Sequence, residues 1–349
     1  MNPGLFAYLS SGLFLGWSLG ANDAANIFGT AVGTRMVRFA TAALIASVFV
    51  ILGAVISGAG ASHTLGKLGA VSTLPGAFMA ALAAAMSVYL MTERGLPVST
   101  SQAIVGGIIG WNVFMGQPTD PAVVSKFAFA WVASPIMAGV MSALLFLFAR
   151  AALRRAKIHL LRLDHYTRLG LILVGAFGAY SLGANNIANV MGVFVGVSPF
   201  QDLQLGPVTL SSTQQLFLLG GLAIATGIYT YSERVMLTVG QDIVRLTPVA
   251  ALVVVLAQSL VLFLFASQSL AAWLVAHHLP ALPLVPVSSS QAVVGAVIGL
   301  GLITPGERIR WEVVKKIAVG WLLTPTVAAL ISVVGMFVLQ NVFNLPVRP

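Results

Sequence analysis

The chain has 349 residues, of which 58% are hydrophobic and only 8% are charged, and its formal net charge is +9. Soluble domains carry about 45–50% apolar and about 25% charged residues, so this composition excludes a soluble globular protein and predicts an all-α polytopic membrane protein. The positive charge indicates cationic loops that orient membrane helices, and not a nucleic-acid partner. Disulfides and thiolate metal sites are excluded because the sequence has no cysteine.

Apolar stretches follow one another along the chain in two sets of five. The first set comprises residues 3–34, 39–60, 76–92, 97–116 and 122–149. The second set comprises residues 168–197, 213–231, 248–276, 286–304 and 311–341. A membrane helix needs about 20 apolar residues, so we predict two repeats of about five membrane segments each. The first stretch has no basic residues before it, which favours a retained span over a signal peptide.

A basic segment separates the two sets. It spans residues 150–168 and contains Arg150, Arg154, Arg155, Lys157, Arg162 and Arg168. We therefore predict an N-terminal repeat over 1–149, a basic cytoplasmic linker over 150–168 and a C-terminal repeat over 169–349.

Basic residues also predict the orientation of the segments. If every segment crosses the membrane and the N-terminus lies outside, most of the 18 lysines and arginines fall on the cytoplasmic side. Segments that only dip into the membrane would divide the charges almost evenly, which conflicts with the positive-inside rule. We expect about ten crossings of the cell membrane, with both termini outside. An odd number per half makes the repeats inverted, with broken helices or hairpins at the centre.

A short polar motif interrupts the first stretch of each half. Residues 18–26 read SLGANDAAN and residues 181–189 read SLGANNIAN. Glycine and small polar residues at matching places in two apolar halves are typical of broken helices at a transport site, so we expect a break at both motifs. Amide and carboxylate oxygens suit a hard cation such as Na⁺, or a proton. The candidate coupling residues are Asn22, Asp23, Asn26, Asn185, Asn186 and Asn189.

The Asn/Asp motif allows a second interpretation, and its two copies are not identical. An alternative is that Asn and Asp cap a helix that begins near Ala24, as these residues do in many proteins. The two copies also differ, because Asp23 corresponds to Asn186. We therefore expect asymmetric coupling in which Asp23 carries most of the function.

A second motif opens the fourth segment of each half. Residues 97–106 read PVSTSQAIVG and residues 286–295 read PVSSSQAVVG. Pro97 followed by hydroxyl residues predicts a helix N-terminus, here within the membrane, and such ends bind anions. The alternative is capping combined with helix packing. The candidate anion ligands are Ser99, Thr100, Ser101, Gln102, Ser288, Ser289, Ser290 and Gln291. Neutral donors of this kind suit tetrahedral phosphate or sulfate.

These four motif copies, together with Trp131 to Pro135 and Trp321 to Pro325, resemble the inorganic phosphate transporter family, which includes a branch similar to sulfate permeases. The resemblance implies phosphate symport driven by Na⁺ or H⁺. It places the anion on the Pro-Val-Ser hairpins and the cations on the Asn/Asp motifs, and it also implies a homodimer. The chain departs from the family at Gln102 and Gln291, where many members have His, at Asn186, where an acid is frequent, and in its short central linker.

We predict a secondary active symporter that imports inorganic phosphate, with Na⁺ or H⁺ as coupling ion, membrane lipid around it and no other cofactor. A sulfate symporter is the first alternative. Protonated phosphate can donate a hydrogen bond whereas sulfate only accepts, so acceptors such as Asp23 favour phosphate. An uncoupled anion channel and a membrane enzyme acting on phosphorylated lipids are further alternatives, although the chain has no nucleophile and base arrangement for the enzyme.

Overall fold

A computed structural model describes residues 3–69, 71–93, 98–156, 158–242, 246–304 and 309–348. Its first part is helical throughout the predicted segments. The helices are α1 (Pro3–Asp23), α2 (Ala25–Gly33), α3 (Phe39–Ser57), α4 (Ala59–Leu68), α5 (Leu74–Glu93), α6 (Thr100–Met115) and α7 (Pro121–Ala156).

The second part repeats this helical content and adds one small hairpin. Its helices are α8 (Leu160–Met191), a short 3-10 helix (Gly192–Val197), α9 (Ser212–Asp242), α10 (Pro248–Leu264), α11 (Gln268–Ala276), α12 (Ser289–Ile303) and α13 (Trp311–Asn341). The antiparallel strands β1 (Leu203–Leu205) and β2 (Val208–Leu210) pair across a turn, in which Gly206 has a φ of 63°. The predicted all-α class is confirmed, apart from this hairpin.

Several of the described helices are long and apolar enough to cross a membrane. They are Phe39–Ser57, Leu74–Met91, Pro121–Ala156, Leu161–Val197 and Trp311–Asn341, and α10 with α11 would form a further span that bends by 69°. Other predicted crossings contain shorter helices, such as α6 with 16 residues. The predicted number of about ten crossings therefore stays a prediction.

The long helices differ in how much of each is buried. In the apolar part of the span Leu161–Val197, which contains most of α8, 72% of the residues are buried, and in α5 67%, against 39% in α3, 28% in α13 and 22% in α7. Leu144 of α7 and Leu322 of α13 are largely exposed, as expected for side chains that face lipid. The Asn185 motif thus lies on the most enclosed of these long helices.

Glycines allow helices from the two parts of the chain to touch backbone to backbone. Gly20 of α1 lies against the Ile224 carbonyl of α9, and Gly227 of α9 lies against the Trp17 carbonyl of α1. Helices α3 and α8 make a similar pair of contacts. Gly53 of α3 lies against the Tyr180 carbonyl of α8, and Gly183 of α8 lies against the Val50 carbonyl of α3. Small residues permit such close approach between membrane helices, so the two parts interlock.

Glycine contacts of the same kind support α6 and α12, the two helices that begin at the Pro-Val-Ser motifs. Gly106 of α6 lies against the Pro325 carbonyl of α13, and Gly295 of α12 lies against the Pro135 carbonyl of α7. A Cβ at either glycine would overlap that oxygen. Each of these helices is therefore supported by the last long helix of the other part.

The two Asn/Asp motifs differ in backbone geometry. α1 ends at Asp23 and α2 begins at Ala25, and the N-cap residue Ala24 makes no side-chain cap. α8 instead runs unbroken to Met191 and includes the whole second motif. The prediction of a break is correct for the first motif and wrong for the second, where Gly183 serves close packing against α3 and the backbone ladder stays closed. Ala24, and not an Asn or Asp, occupies the cap, so the capping alternative is wrong for α2.

The predicted linker is largely helical. Residues 150–156 complete α7 and residues 160–168 begin α8. Ile158 and His159 are the described residues between these helices, and Lys157 lies outside the described residues. The division into repeats and linker stays a prediction.

Gly295→Ala should lower the unfolding temperature of the purified protein in detergent, because the added Cβ would displace the Pro135 carbonyl. Overpacking of this kind costs about 1–3 kcal/mol. Gly66→Ala in α4 is the matched control, since no atom lies within 4 Å of its added Cβ. We expect the control to be as stable as the parent or more so. Equal unfolding temperatures for the parent and Gly295→Ala would contradict the close contact.

Candidate functional site

The two Pro-Val-Ser motifs form helix N-termini, as the sequence predicts. Ser99 is the N-cap of α6 and its hydroxyl accepts a hydrogen bond from the Gln102 N–H at 3.3 Å. Ser288 caps α12 and accepts from the Gln291 N–H at 3.2 Å. Pro97 lies outside the described residues. The first N–H groups of each helix point out of its start and have no partner within the helix.

The hydroxyl groups of the two motifs form two small clusters. Ser99 and Ser101 lie 3.0 Å apart between their oxygens, and Ser288 and Ser290 lie 2.9 Å apart. The side chains of Ser99, Thr100, Ser101, Ser288 and Ser289 are buried. Hydroxyls can turn to donate to a ligand, so each cluster offers adjustable donors.

A direct hydrogen bond joins the two helix starts. The Ser290 hydroxyl donates to the Val98 carbonyl at 2.9 Å, and Val98 directly precedes the cap residue Ser99. The positive ends of two helix dipoles therefore lie beside each other. This arrangement favours a negatively charged ligand between them.

Asp23 connects the first Asn/Asp motif to this region. It lies at the break between α1 and α2, and its Oδ2 accepts a hydrogen bond from the Ser289 hydroxyl at 2.7 Å. The Asn26 amide Nδ2 also donates to the Ser289 oxygen, at 3.4 Å. Asp23 is only 8% exposed, and neither motif contains a cationic side chain. A buried carboxylate in such surroundings is costly without a positive partner.

The first motif retains oxygen atoms that a cation could use. Asn22 donates from Nδ2 to the Ser18 carbonyl at 3.0 Å, which leaves its own amide oxygen for another role. Within the described ranges, no group of three or more His, Cys, Asp or Glu side chains could hold a metal ion. The ligands that these side chains offer to a cation are therefore one carboxylate and the amide oxygens.

The second Asn/Asp motif is fully buried and makes more internal contacts. Asn185 accepts at Oδ1 from the Val287 N–H at 2.9 Å and donates from Nδ2 to the Leu262 carbonyl at 3.3 Å. Asn189 donates from Nδ2 to the Asn186 Oδ1 at 2.9 Å. The structure thus brings Asn185 to the start of α12, whereas Asn186 and Asn189 bind each other.

Both glutamines of the Pro-Val-Ser motifs carry a buried oxygen without a hydrogen-bond partner. These atoms are Oε1 of Gln102 and Oε1 of Gln291, and the two residues are 4% and 3% exposed. A buried acceptor without a partner is costly, by about 1–3 kcal/mol. A ligand that donates a hydrogen bond would remove this cost.

Gln258 is a site residue that the sequence motifs did not reveal. It is completely buried in α10, its Nε2 donates to the Asn26 carbonyl, and its Oε1 has no partner. The signal in the sequence was an amide in the middle of the apolar residues 248–264. Gln258 thus connects α10 to the first turn of α2, directly after the helix break.

Comparison with known proteins identifies the family. A sequence model described as the phosphate transporter family matches residues 19–332. The chain belongs to this family. The matched range includes every site residue named above, and membership makes the chain a multi-pass membrane transport protein.

Similar proteins extend over the whole chain. A protein of Thermococcus kodakarensis named "putative phosphate permease" is 27% identical, and the alignment covers 95% of this chain and 97% of the relative. One of the same name from Pyrococcus abyssi is 26% identical, covering 96% and 97%. A solved structure named "The sodium-dependent phosphate transporter" matches with a TM-score of 0.78 and 25% identity, over 96% of this chain and 98% of that one.

Gln258→Leu should lower phosphate uptake by reconstituted protein by up to about tenfold, because one such hydrogen bond contributes about 0.5–1.5 kcal/mol. Ser259→Ala is the control, since that hydroxyl bonds to Val255 within its own helix. Equal uptake by Gln258→Leu and the control would show that Gln258 has no part in the site.

Proposed function

We propose that the protein is a secondary active symporter that imports inorganic phosphate together with Na⁺ or H⁺ across the cell membrane. Membership of the phosphate transporter family supports phosphate as substrate. The similar solved structure is that of a protein named as a sodium-dependent phosphate transporter, which supports Na⁺ as the coupling cation.

The hydrogen bond between Ser289 and Asp23 is the observation that carries this proposal. It joins a candidate anion ligand to the only carboxylate of the four motif copies. An anion bound at the start of α12, beside Ser289, would lie close to Asp23, and two like charges about 4 Å apart repel by about 4 kcal/mol at an effective dielectric constant of about 20. A cation or proton at Asp23 removes that repulsion, so phosphate and cation would bind together.

The proposed binding residues follow from this arrangement. The anion would lie between the starts of α6 and α12, held by hydroxyls, helix N–H groups and the two glutamines. This set comprises Ser99, Thr100, Ser101, Gln102, Ser288, Ser289, Ser290 and Gln291. The coupling cation would lie at the helix break, with Asn22, Asp23 and Asn26.

Alternating access would use the two parts of the chain as inverted repeats. The reciprocal glycine contacts of α6 with α13 and of α12 with α7 support equivalent roles for the two parts. We propose about ten crossings with both termini outside, so that the two motif pairs approach the membrane centre from opposite sides. Movement of the motif-bearing helices against the outer helices would then open the site to each side in turn.

Buried acceptors support phosphate over sulfate. Oε1 of Gln102 and Oε1 of Gln291 have no partner, and Asp23 is also an acceptor. Phosphate near neutral pH carries a proton that can satisfy such a group, whereas sulfate has none to donate.

Asp23→Asn should abolish cation-driven uptake of labelled phosphate into proteoliposomes while the protein stays folded. The amide keeps an oxygen for the Ser289 hydroxyl but loses the charge that a cation requires. Asp120→Asn is the control, because that carboxylate caps a helix at an exposed position. Labelled sulfate and imposed Na⁺ or H⁺ gradients in the same assay separate the alternatives. Uptake that is unchanged in Asp23→Asn, or independent of any cation gradient, would contradict symport through this residue.

Ser99→Ala combined with Ser288→Ala should raise the phosphate concentration for half-maximal uptake by about a hundredfold or more. Each hydroxyl bound to a charged ligand contributes about 1.5–3 kcal/mol, and about 1.4 kcal/mol corresponds to a factor of ten. Thr247→Ala controls for the loss of a helix cap, since Thr247 caps α10 through the Ala250 N–H. An equal change in the control would assign the effect to helix capping and not to anion binding.

A further inference from the structure

The two Asn/Asp motifs differ in the number of oxygen atoms that they leave open for a cation. A hard cation is held by several oxygen ligands at once, about six or more for Ca²⁺. An amide oxygen that already accepts a strong hydrogen bond within the protein is less available for this purpose. The hydrogen bonds of each motif therefore indicate its capacity to bind a cation.

The first motif keeps most of its oxygens open. Asn22 and Asn26 use their amide N–H groups, towards Ser18 and Ser289 respectively. Asp23 accepts from Ser289 at Oδ2, and in the described part of the chain its Oδ1 has no donor. Oε1 of Gln258, whose Nε2 contacts Asn26, is a further buried oxygen without a partner. This set contains one full negative charge and several neutral oxygens.

The second motif has almost no side-chain oxygen open to a cation. Asn185 uses both ends of its amide, towards Val287 and Leu262. The oxygen of Asn186 is taken by Asn189, which leaves Oδ1 of Asn189 as the open oxygen of the three side chains. Where Asp23 has a carboxylate, Asn186 instead presents a buried Nδ2 without a partner. Its hydrogens carry positive partial charge and repel a cation.

We propose that one cation accompanies each phosphate, bound at the Asp23 motif, and that the Asn185 motif holds none. Asn185 is a positioning residue in this proposal. Its Oδ1 accepts from the N–H of Val287, which directly precedes the cap residue Ser288, and its Nδ2 donates to the Leu262 carbonyl of α10. Asn185 therefore connects the start of α12 to α10. The second motif would thus orient the anion-binding end of α12, and the inference rests on the proposed symport.

Flux reversal measures the ratio of cation to phosphate directly. The full chain is reconstituted in proteoliposomes whose membrane potential is clamped with potassium and valinomycin. With the potential held at zero, we expect a cation gradient of about tenfold to balance an opposing phosphate gradient of about tenfold, so that net flux of labelled phosphate stops. Balance against a phosphate gradient of about a hundredfold would overturn the single cation. A complete lack of cation-driven accumulation would instead overturn the proposed function itself.

A pair of matched variants tests the positioning role. Asn185→Leu should raise the phosphate concentration for half-maximal uptake about tenfold and, at saturating phosphate, leave the half-maximal cation concentration unchanged. Asn22→Leu, at the equivalent place in the first motif, should raise the half-maximal cation concentration. A raised half-maximal cation concentration in Asn185→Leu would overturn the role of Asn185 as a positioning residue.

Asn186→Asp returns a carboxylate to the second motif while keeping the oxygen that Asn189 contacts. We expect the flux-reversal ratio to rise from about one to about two cations per phosphate, because the buried charge then requires a partner. A ratio that stays at one in a folded Asn186→Asp protein would overturn the claim that the missing carboxylate excludes the second cation. Intrinsic tryptophan fluorescence during thermal unfolding reports whether the variant is folded.

Discussion

The carboxylate of Asp23 imposes the constraint on which the site depends. It is 8% exposed, at a break between two helices, and its described hydrogen bond comes from the Ser289 hydroxyl. A charge buried in this way is stable only with a positive partner. The hydrogen bond from Ser289 also places Asp23, and with it any such positive partner, beside the start of α12, where an anion would bind. Under the proposed symport, binding of an anion and binding of a cation would therefore be physically linked.

Glycine contacts explain how the surrounding helices can hold such a site. Gly106 and Gly295 place the backbones of α6 and α12 directly against the Pro325 and Pro135 carbonyls. Each helix start is thus supported by a long helix from the other part of the chain. The supporting helices α7 and α13 are largely exposed, so α6 and α12 lie between the outer surface of the protein and the candidate site.

Local sequence signals predicted some features well and others badly. The helix starts at Ser99 and Ser288 were predictable, because a hydroxyl residue shortly after proline can accept a hydrogen bond from one of the first N–H groups of its own helix. The break was predicted for both Asn/Asp motifs but occurs only in the first, although the equivalent glycines Gly20 and Gly183 both pack against a neighbouring backbone. Gln258 was not predicted, because a single amide within an apolar helix belongs to no motif.

The sequence by itself determined the membrane class, the order of apolar segments and the helix starts, because these depend on composition and on neighbours along the chain. Only the tertiary structure decided which motif contacts which. Asp23 accepts a hydrogen bond from Ser289 in the other part of the chain. In Asn185, both ends of the amide are already hydrogen-bonded, to Val287 and Leu262. Two motifs with nearly the same sequence therefore differ in their hydrogen bonds, because the contacts of a side chain depend on residues distant in sequence.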